Sequence, residues 1–235
     1  MVPLLLLACG SEPDIPEPET SPEPALAPAA AVEEPTVEPL PEPGPAFSTR
    51  VLSLPESLVE QMHGTSYREG CPTPLGDLRL VELNHYGFDG EIHAGRLVVH
   101  REAVDVMEQA FAAAFEHRFP LRSVRPVSEF GGSDARSMAA DNTSAFNCRR
   151  VKGTSVWSEH STGLAIDINP RENPWVKGGA VDPPEGKAFL ERSASVPGLL
   201  TEDHPVTRVF LQAGWGWGGH WSRLRDYQHF SRSGR

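Results

Sequence analysis

Two segments of the chain carry apolar residues at the three- to four-residue spacing of an amphipathic helix. The first, EAVDVMEQAFAAAFEHRF, ends before Pro120, which cannot continue a helix. Its predicted buried face consists of Val104, Met107, Phe111, Ala114 and Phe115. The second, HPVTRVFLQAG, places Pro205 at the start of the helix and Gly214 just after its end. Its apolar stripe consists of Val206, Val209, Phe210 and Ala213.

Two shorter segments show the two-residue alternation of a β-strand. LRSVRPVSEF, residues 121–130, alternates in part and predicts a short strand. GLAIDIN predicts another, with Leu164, Ile166 and Ile168 on one face and Asp167 on the other. This mixture indicates an α+β fold: a single domain over residues 48–235, with a small antiparallel sheet, flanking helices and long loops.

Residues 10–47 show no apolar periodicity and are dominated by Pro, Glu and Ala. Such a segment buries too little apolar surface to fold, so we expect a disordered linker. In a polyproline-like conformation, at ~3.1 Å per residue, it would reach on the order of 100 Å. It holds nine acidic residues and no Lys or Arg, so it carries most of the net charge of −11. The rest of the chain is nearly neutral, which argues against a nucleic-acid partner.

The chain begins with the apolar run MVPLLLLAC, which is shorter than the helix of about 20 residues that spans a bilayer. Leu6, Leu7 and Ala8 before Cys9 resemble the lipobox of bacterial lipoproteins, in which the cysteine is lipidated and the preceding residues are removed. The resemblance implies an exported lipoprotein, anchored to a membrane at Cys9 and facing the periplasm or the cell wall. The usual basic residues of a signal peptide are missing, so an upstream start or a chance apolar run are the alternatives.

The two other cysteines are Cys71 and Cys148. In an exported protein such a pair favours a disulfide bond. A cysteine metal site is the weaker alternative, because neither residue lies in a CxxC or CxxH pattern.

Histidine and acidic side chains cluster in two short segments. SEHSTGLAIDIN contains His160 and Asp167, and GWGWGGHWSRLRDYQHF contains His220, Asp226 and His229. A catalytic zinc ion needs three protein ligands, an open position for water and a nearby carboxylate base. His160, Asp167 and His229 supply such ligands, and Asp226 is then free to act as the base. Each histidine taken alone could instead be a structural or exposed side chain.

Together the two segments resemble a known peptidase family. S-x-H-x-x-G-x-A-x-D, followed about sixty residues later by W-G-G-x-W and D-x-x-H-F, is similar to the zinc D-alanyl-D-alanine carboxypeptidases and related L-alanyl-D-glutamate peptidases of bacteria and phages. The resemblance implies that His160, Asp167 and His229 bind Zn²⁺ and that Asp226 is catalytic. It extends over roughly residues 65–230, through CPTPLGDLRLVELNHYGFDGEIHAGRLVV and GSDARSMAADNTSAFNCR.

One departure from the family pattern is His220, where relatives usually carry an acidic residue. His220 is therefore a second possibility for the third ligand, although the DxxH spacing favours His229 because it keeps base and ligand together. The family holds a substrate carboxylate with an arginine upstream of the zinc motif, through paired hydrogen bonds. Arg136 best matches that position and Arg149 is second, but either could face solvent or form a structural ion pair.

Several other residues near the motifs have weaker assignments. Ser158 is expected to orient substrate or a metal ligand. Three polar residues either line the cleft or hold a loop together: Asn142, Thr143 and Asn147. Three tryptophans are expected in the core and the cleft wall rather than in a sugar-binding platform: Trp215, Trp217 and Trp221.

These observations predict a zinc-dependent peptidase, of the D-Ala-D-Ala carboxypeptidase type, that hydrolyses the peptide stems of peptidoglycan. One alternative is an L-Ala-D-Glu endopeptidase of the same family. Another is a non-catalytic peptidoglycan-binding lipoprotein, which the presence of Asp226 disfavours because a binding protein needs no base. The expected partners are the peptidoglycan peptide and a membrane reached through the lipid anchor, with no nucleic acid, and we expect a monomer.

Overall fold

The computed structural model describes residues 45–192 and 195–235. The strands are β1 (Thr49–Leu52), β2 (Leu78–Tyr86), β3 (Ile92–His100), β4 (Ser123–Val124), β5 (Asn142–Thr143), β6 (Ala165–Asp167), β7 (Trp175–Lys177), β8 (Ala180–Asp182), β9 (Gly216–Trp217), β10 (Arg225–Asp226) and β11 (His229–Ser231). The helices are α1 (Glu56–Met62), α2 (Val104–Glu116), α3 (Asp134–Ala139) and α4 (Pro205–Gln212). The predicted lipidation site at Cys9 and most of the predicted linker lie outside the described residues. In the part of the chain that is described, no helix is long and apolar enough to cross a membrane.

The strands form three small antiparallel sheets, ordered β1-β2-β3, β10-β7-β8 and β6-β11-β9, and β4 pairs with β5 in parallel. The long β2–β3 hairpin turns at Asp89-Gly90, where Gly90 has a φ of +80° and donates its N–H to the Gly87 carbonyl at 3.0 Å. Asp-Gly is favoured in such turns because glycine adopts positive φ without strain. The mixture of helices and small antiparallel sheets confirms the α+β fold.

Both predicted helices are present within slightly narrower bounds. In α2 the predicted face is buried except for Val104, which packs at the edge of the core. In α4 Val206 and Phe210 are buried, and Gly214 follows the helix end with a φ of +80°. The two helices pack against each other, so their apolar faces form one side of the main core.

One predicted strand is wrong over most of its length. Of residues 121–130 only Ser123–Val124 is a strand, and Val127–Phe130 form a 3₁₀ turn. Pro126 lies between the two, and because proline has no N–H it interrupts a strand ladder. The strand predicted from GLAIDIN is confirmed in shorter form as β6.

Phe230 anchors β11 to the main core and so sets the orientation of that strand. Its ring stacks on Phe210 of α4, with centroids 4.5 Å apart, and lies parallel to Trp217 of β9 at 6.1 Å. Phe230 is opposite Ile166 of β6 in the strand register, and both are fully buried. Because successive side chains of a strand point to opposite faces, His229 points away from this core.

A disulfide bond joins Cys71 to Cys148, as expected, with their Cα atoms 5.9 Å apart. It links the segment before β2 to the loop that follows β5, and the N–H of Cys148 also donates to the Ser66 carbonyl at 2.8 Å. A bridge that closes a loop of this length stabilises a fold by roughly 2–4 kcal/mol. The loop it tethers leads directly into the histidine segment.

Candidate metal centre

Strand pairing brings two of the predicted ligands together. β6 and β11 are antiparallel neighbours, and His229 is directly opposite Asp167 in their register. Directly opposed residues of an antiparallel pair place their side chains on the same face of the sheet. The third residue, His160, lies in the 3₁₀ turn Glu159–Thr162, which ends just before β6. Ser158 caps this turn, since its Oγ accepts a hydrogen bond from the His160 N–H at 3.4 Å.

The three side chains converge at short distances. Nδ1 of His229 is 2.9 Å from Oδ1 of Asp167, and Nε2 of His160 is 3.1 Å from Oδ2 of the same carboxylate. The two ring nitrogens are 3.2 Å apart. His160, Asp167 and His229 are the group of three potential ligands that the described residues place close enough to hold one metal ion. All three side chains are largely shielded from solvent.

In each imidazole ring, the nitrogen that points away from the other two side chains lies against a backbone carbonyl. We call it the outer nitrogen and the one that faces the other side chains the inner nitrogen. Nδ1 of His160 is 2.6 Å from the Ala145 carbonyl oxygen, and Nε2 of His229 is 3.1 Å from that of Arg235. A carbonyl oxygen only accepts hydrogen bonds, so each of these nitrogens carries the proton of a neutral imidazole. The inner nitrogens therefore present lone pairs to each other and to the Asp167 carboxylate.

Three lone-pair donors in contact repel one another unless a positive charge lies between them. A second proton on a ring is one such charge: although burial opposes it, the hydrogen bond and charge of Asp167 raise the pKa of His229 to about 9. Burial also opposes ionisation of Asp167, but His160 and His229 outweigh it and hold the Asp167 pKa well below its usual range. A bound metal ion takes the place of that extra proton.

The donor set fits a zinc ion. Two imidazole nitrogens and one carboxylate oxygen form a common catalytic zinc set, which leaves one position open. Zinc–ligand distances of about 2.0–2.2 Å in a tetrahedron put neighbouring ligand atoms roughly 3.3–3.6 Å apart. The two ring nitrogens are 3.2 Å apart, and with one oxygen of Asp167 the three ligand atoms all lie within 4.8 Å of one another. Side-chain adjustments of about 1 Å would therefore suffice for binding.

Asp226 lies on β10 and is electrostatically coupled to the three side chains. Its Oδ1 is buried and has no hydrogen-bond partner among the described residues. Burial and the charge of Asp167 raise the pKa of Asp226 to about 7, while a hydrogen bond from Gln228 opposes the rise. Gly218 makes room for this residue: a Cβ there would lie 2.4 Å from the backbone oxygen of Asp226. The site thus combines three metal-type donors with a buried carboxylate, one oxygen of which has no hydrogen-bond partner among the described residues.

This arrangement coincides with a family match. Residues 152–232 match the family model described as D-alanyl-D-alanine carboxypeptidase. The resemblance is confirmed for the part of the chain that carries the site. No curated protein and no solved structure matches the chain significantly.

His220, the other candidate for the third ligand in the peptidase segment, lies elsewhere. Its Nε2 is 3.6 Å from Oε2 of Glu202, and its ring packs edge-on against Trp217 at 5.2 Å. The structure therefore groups His229, and not His220, with His160 and Asp167.

The two arginines considered for substrate binding differ in what they contact. Arg149 forms an ion pair with Asp134 at 2.6 Å, and its backbone N–H donates to Ser161. Arg136 is exposed and forms no ion pair with another described residue. Its guanidinium group lies over Gly131, where a Cβ would come within 2.5 Å of Nη2 of Arg136. Of the two, Arg136 is therefore the arginine whose guanidinium group has no acidic partner among the described residues.

The remaining polar candidates mostly connect loops. The amide of Asn142 donates to the Arg125 carbonyl and to Ser137, and its oxygen accepts from Ser123. Thr143 accepts the N–H of Asn169 at 3.2 Å. Asn147 contacts the Gly132 carbonyl only at 3.5 Å, and its buried Oδ1 has no partner in the described structure.

The tryptophans divide as expected between core and site. Trp215 and Trp217 belong to the main core. Trp221 is partly exposed, and its ring centroid lies 5.5 Å from that of His229. Sequence reasoning missed the carbonyls of Ala145 and Arg235, because backbone groups leave no signal in residue identity.

Proposed function

We propose that this protein is a zinc-dependent peptidase that hydrolyses the peptide stems of peptidoglycan, with D-Ala-D-Ala carboxypeptidase specificity. One observation carries the proposal: His160, Asp167 and His229 converge, and the buried carboxylate of Asp226, whose Oδ1 has no hydrogen-bond partner among the described residues, interacts electrostatically with all three. A protein that only bound peptidoglycan would need neither the convergence nor the base. The family match over residues 152–232 supports the peptidase class.

His160, Asp167 and His229 would hold the zinc ion, each through the inner atom that the backbone contacts leave free. When bound, zinc supplies a Lewis acid for the scissile carbonyl and for the attacking water. The protein's part is to hold the three donors rigidly. The carbonyls of Ala145 and Arg235 fix the two ring tautomers, and the β6–β11 register fixes the carboxylate.

Asp226 acts as the proton carrier of the proposed reaction. Its Oδ1 accepts a proton from the attacking water and later delivers it to the leaving amine. This oxygen is buried and has no hydrogen-bond partner among the described residues, so it is free to take up and release the proton. A general base of this kind contributes typically 10²–10⁴-fold to the rate.

Arg136 is the proposed anchor for the carboxylate at the end of the substrate. A terminal D-alanine ends in a carboxylate, and a guanidinium group binds it through two parallel hydrogen bonds. Arg149 is less suited because Asp134 already occupies its guanidinium group. Ser158 takes part indirectly, since it caps the turn that carries His160.

We further propose that the domain is a monomer tethered to a membrane through a lipid on Cys9, with residues 10–47 as the spacer. A spacer that reaches on the order of 100 Å would let the domain act on peptidoglycan away from the membrane. Replacement Cys9→Ser should then release the protein from the membrane fraction. Retention of the variant with the membrane would contradict the anchor.

The test of the activity uses a stem pentapeptide that contains both candidate bonds. Products are identified by mass spectrometry, with the enzyme as purified, after chelator treatment and after return of zinc. Free D-alanine that appears only with zinc supports the carboxypeptidase. Release of L-alanine instead would establish the endopeptidase, and zinc and peptidoglycan binding without any hydrolysis would establish the binding protein.

A further inference from the structure

After β11 the chain folds back onto the metal centre. The Arg235 carbonyl accepts two hydrogen bonds, one from Nε2–H of His229 at 3.1 Å and one from Oγ–H of Ser231 at 2.7 Å. The Gly234 carbonyl accepts a third, from the indole N–H of Trp221 at 2.9 Å. Residues 233–235, which we call the hook, therefore contact the metal centre through backbone atoms.

The hook occupies a place that the surrounding residues are shaped to receive. Its Gly234 has a φ of +77° and donates its N–H to the Ser231 carbonyl at 3.2 Å. A Cβ on Gly216 would lie 2.4 Å from the Cα of Gly234, so only a glycine at position 216 allows this approach. Backbone conformation and close packing thus fix the hook, together with a hydrogen bond inside it from the N–H of Arg235 to Oγ of Ser233 at 3.3 Å.

We propose that the hook is a positioning element that holds His229 ready for the metal, an inference that rests on the proposed function. The Arg235 carbonyl fixes the tautomer of His229 with its lone pair on Nδ1 and prevents the ring from turning over. The Gly234 carbonyl holds Trp221 beside the same ring, with centroids 5.5 Å apart. The hook lies beyond residues 152–232, the segment that matches the family model.

Loss of such an outer partner typically weakens metal binding 10–100-fold. The test compares the full chain with a variant that ends at Arg232 and with Gly216→Ala, which keeps the hook but displaces it. Zinc affinity is measured by competition with a chromophoric chelator, and the absorption spectrum of the cobalt-loaded protein reports the ligand geometry. Arg232→Ala is the matched control, because Arg232 is a neighbouring exposed residue whose side chain pairs with Glu102.

We expect 10- to 100-fold weaker zinc binding and an altered cobalt spectrum in both hook variants, and neither change in the control. Thermal unfolding of the metal-free proteins separates positioning from folding: a merely structural hook would lower Tm without changing the affinity of the folded protein. Affinity within twofold of the full chain in Gly216→Ala and in the truncated protein would overturn the inference. Failure of the unmodified chain to bind zinc would overturn the proposed function itself.

Discussion

Two regions of this protein bury acidic side chains, and they neutralise them in different ways. At the metal centre, Asp167 faces the imidazole rings of His160 and His229, which hold its pKa low even though burial opposes ionisation. Elsewhere Asp141, fully buried, faces Glu172, which is 3 % exposed. There burial, followed by the charge and hydrogen bond of Asp141, raises the pKa of Glu172 to about 8.

The groups around a buried carboxylate determine whether a cation or a proton neutralises it. The raised pKa of Glu172 keeps its carboxyl group protonated near neutral pH, so a proton neutralises this side chain beside Asp141. The guanidinium group of Arg122 is 3.8 Å from Asp141 and adds a longer-range ion pair, whereas that of Arg192 donates to the backbone carbonyl of Glu172. At the metal centre the outer ring nitrogens are held by carbonyls, so three donors converge on one point. Three converging donors of mixed type are suited to zinc rather than to a proton.

The largest expected effect comes from removing one converging donor. His160→Ala should abolish zinc binding and hydrolysis together, because two remaining ligands cannot hold the ion. Zinc content measured by elemental analysis and turnover of the pentapeptide should fall in parallel. His220→Ala is the matched control and should retain about one zinc per chain. If the two variants behave in the opposite way, the ligand set is wrong.

Next in size is the loss of the proton acceptor alone. Asp226→Asn keeps the size and shape of the side chain but cannot accept the proton. Zinc content should stay near one per chain while turnover falls by ~10² or more. Wild-type turnover in this variant would place the base elsewhere.

A smaller loss of turnover is expected when a substitution shifts Asp226 without removing its charge. In Gly218→Ala the new Cβ would lie 2.4 Å from the Asp226 backbone oxygen, so β10 must shift. We expect kcat to fall about tenfold with zinc retained, since catalytic groups tolerate little misplacement. The replacement Gly219→Ala is not a clean control, because its Cβ would meet the Trp217 ring at 2.5 Å. Gly76→Ala is the clean control, because nothing lies within 4 Å of its Cβ and its φ is not positive, and unchanged kcat is expected there.

The parts of the fold that the sequence predicted are those set by local periodicity. Helices α2 and α4 and strand β6 have apolar spacing that matches their secondary structure. The strand expected over residues 121–130 was wrong because its alternation was partial and Pro126 interrupted it. The β2–β3 hairpin was missed even though its Asp89-Gly90 turn is a recognisable signal.

At the metal centre, residue types and their spacing were enough to name the candidate ligands. They did not predict which strands bring those ligands together or which groups surround them. The convergence of His160, Asp167 and His229 depends on the β6–β11 pairing, which joins segments about sixty residues apart. The Glu172 pair was not predicted at all. Its partner Asp141 is distant in sequence, and only the folded chain brings the two residues together. A lone glutamate in a sequence normally indicates an exposed position.

The smallest expected effect concerns the buried pair of Asp141 and Glu172 and its contribution to stability. In the unfolded chain Glu172 titrates near 4.5, and in the folded protein its pKa is about 8. The protonated pair therefore contributes stability that is fully present below pH 4.5 and is lost as pH rises toward 8. Glu172→Gln keeps a hydrogen-bond donor toward Asp141 but cannot ionise. The free energy of unfolding of this variant should not fall with pH as that of the wild type does. At pH 8 it should exceed that of the wild type by about 1–2 kcal/mol, allowing for partial solvent screening.

Urea unfolding of both zinc-loaded proteins from pH 5 to pH 8.5 measures that difference, because the metal centre contributes equally to each. Glu185→Gln, an exposed glutamate of the same loop region, is the control and should leave the pH slope unchanged. Hydrolysis by Glu172→Gln should equal that of the wild type at pH 7, because the pair lies outside the proposed catalytic groups. If Glu172→Gln is instead less stable than the wild type at pH 8, the buried pair is neutralised by a cation rather than by a proton, and the contrast between the two regions fails.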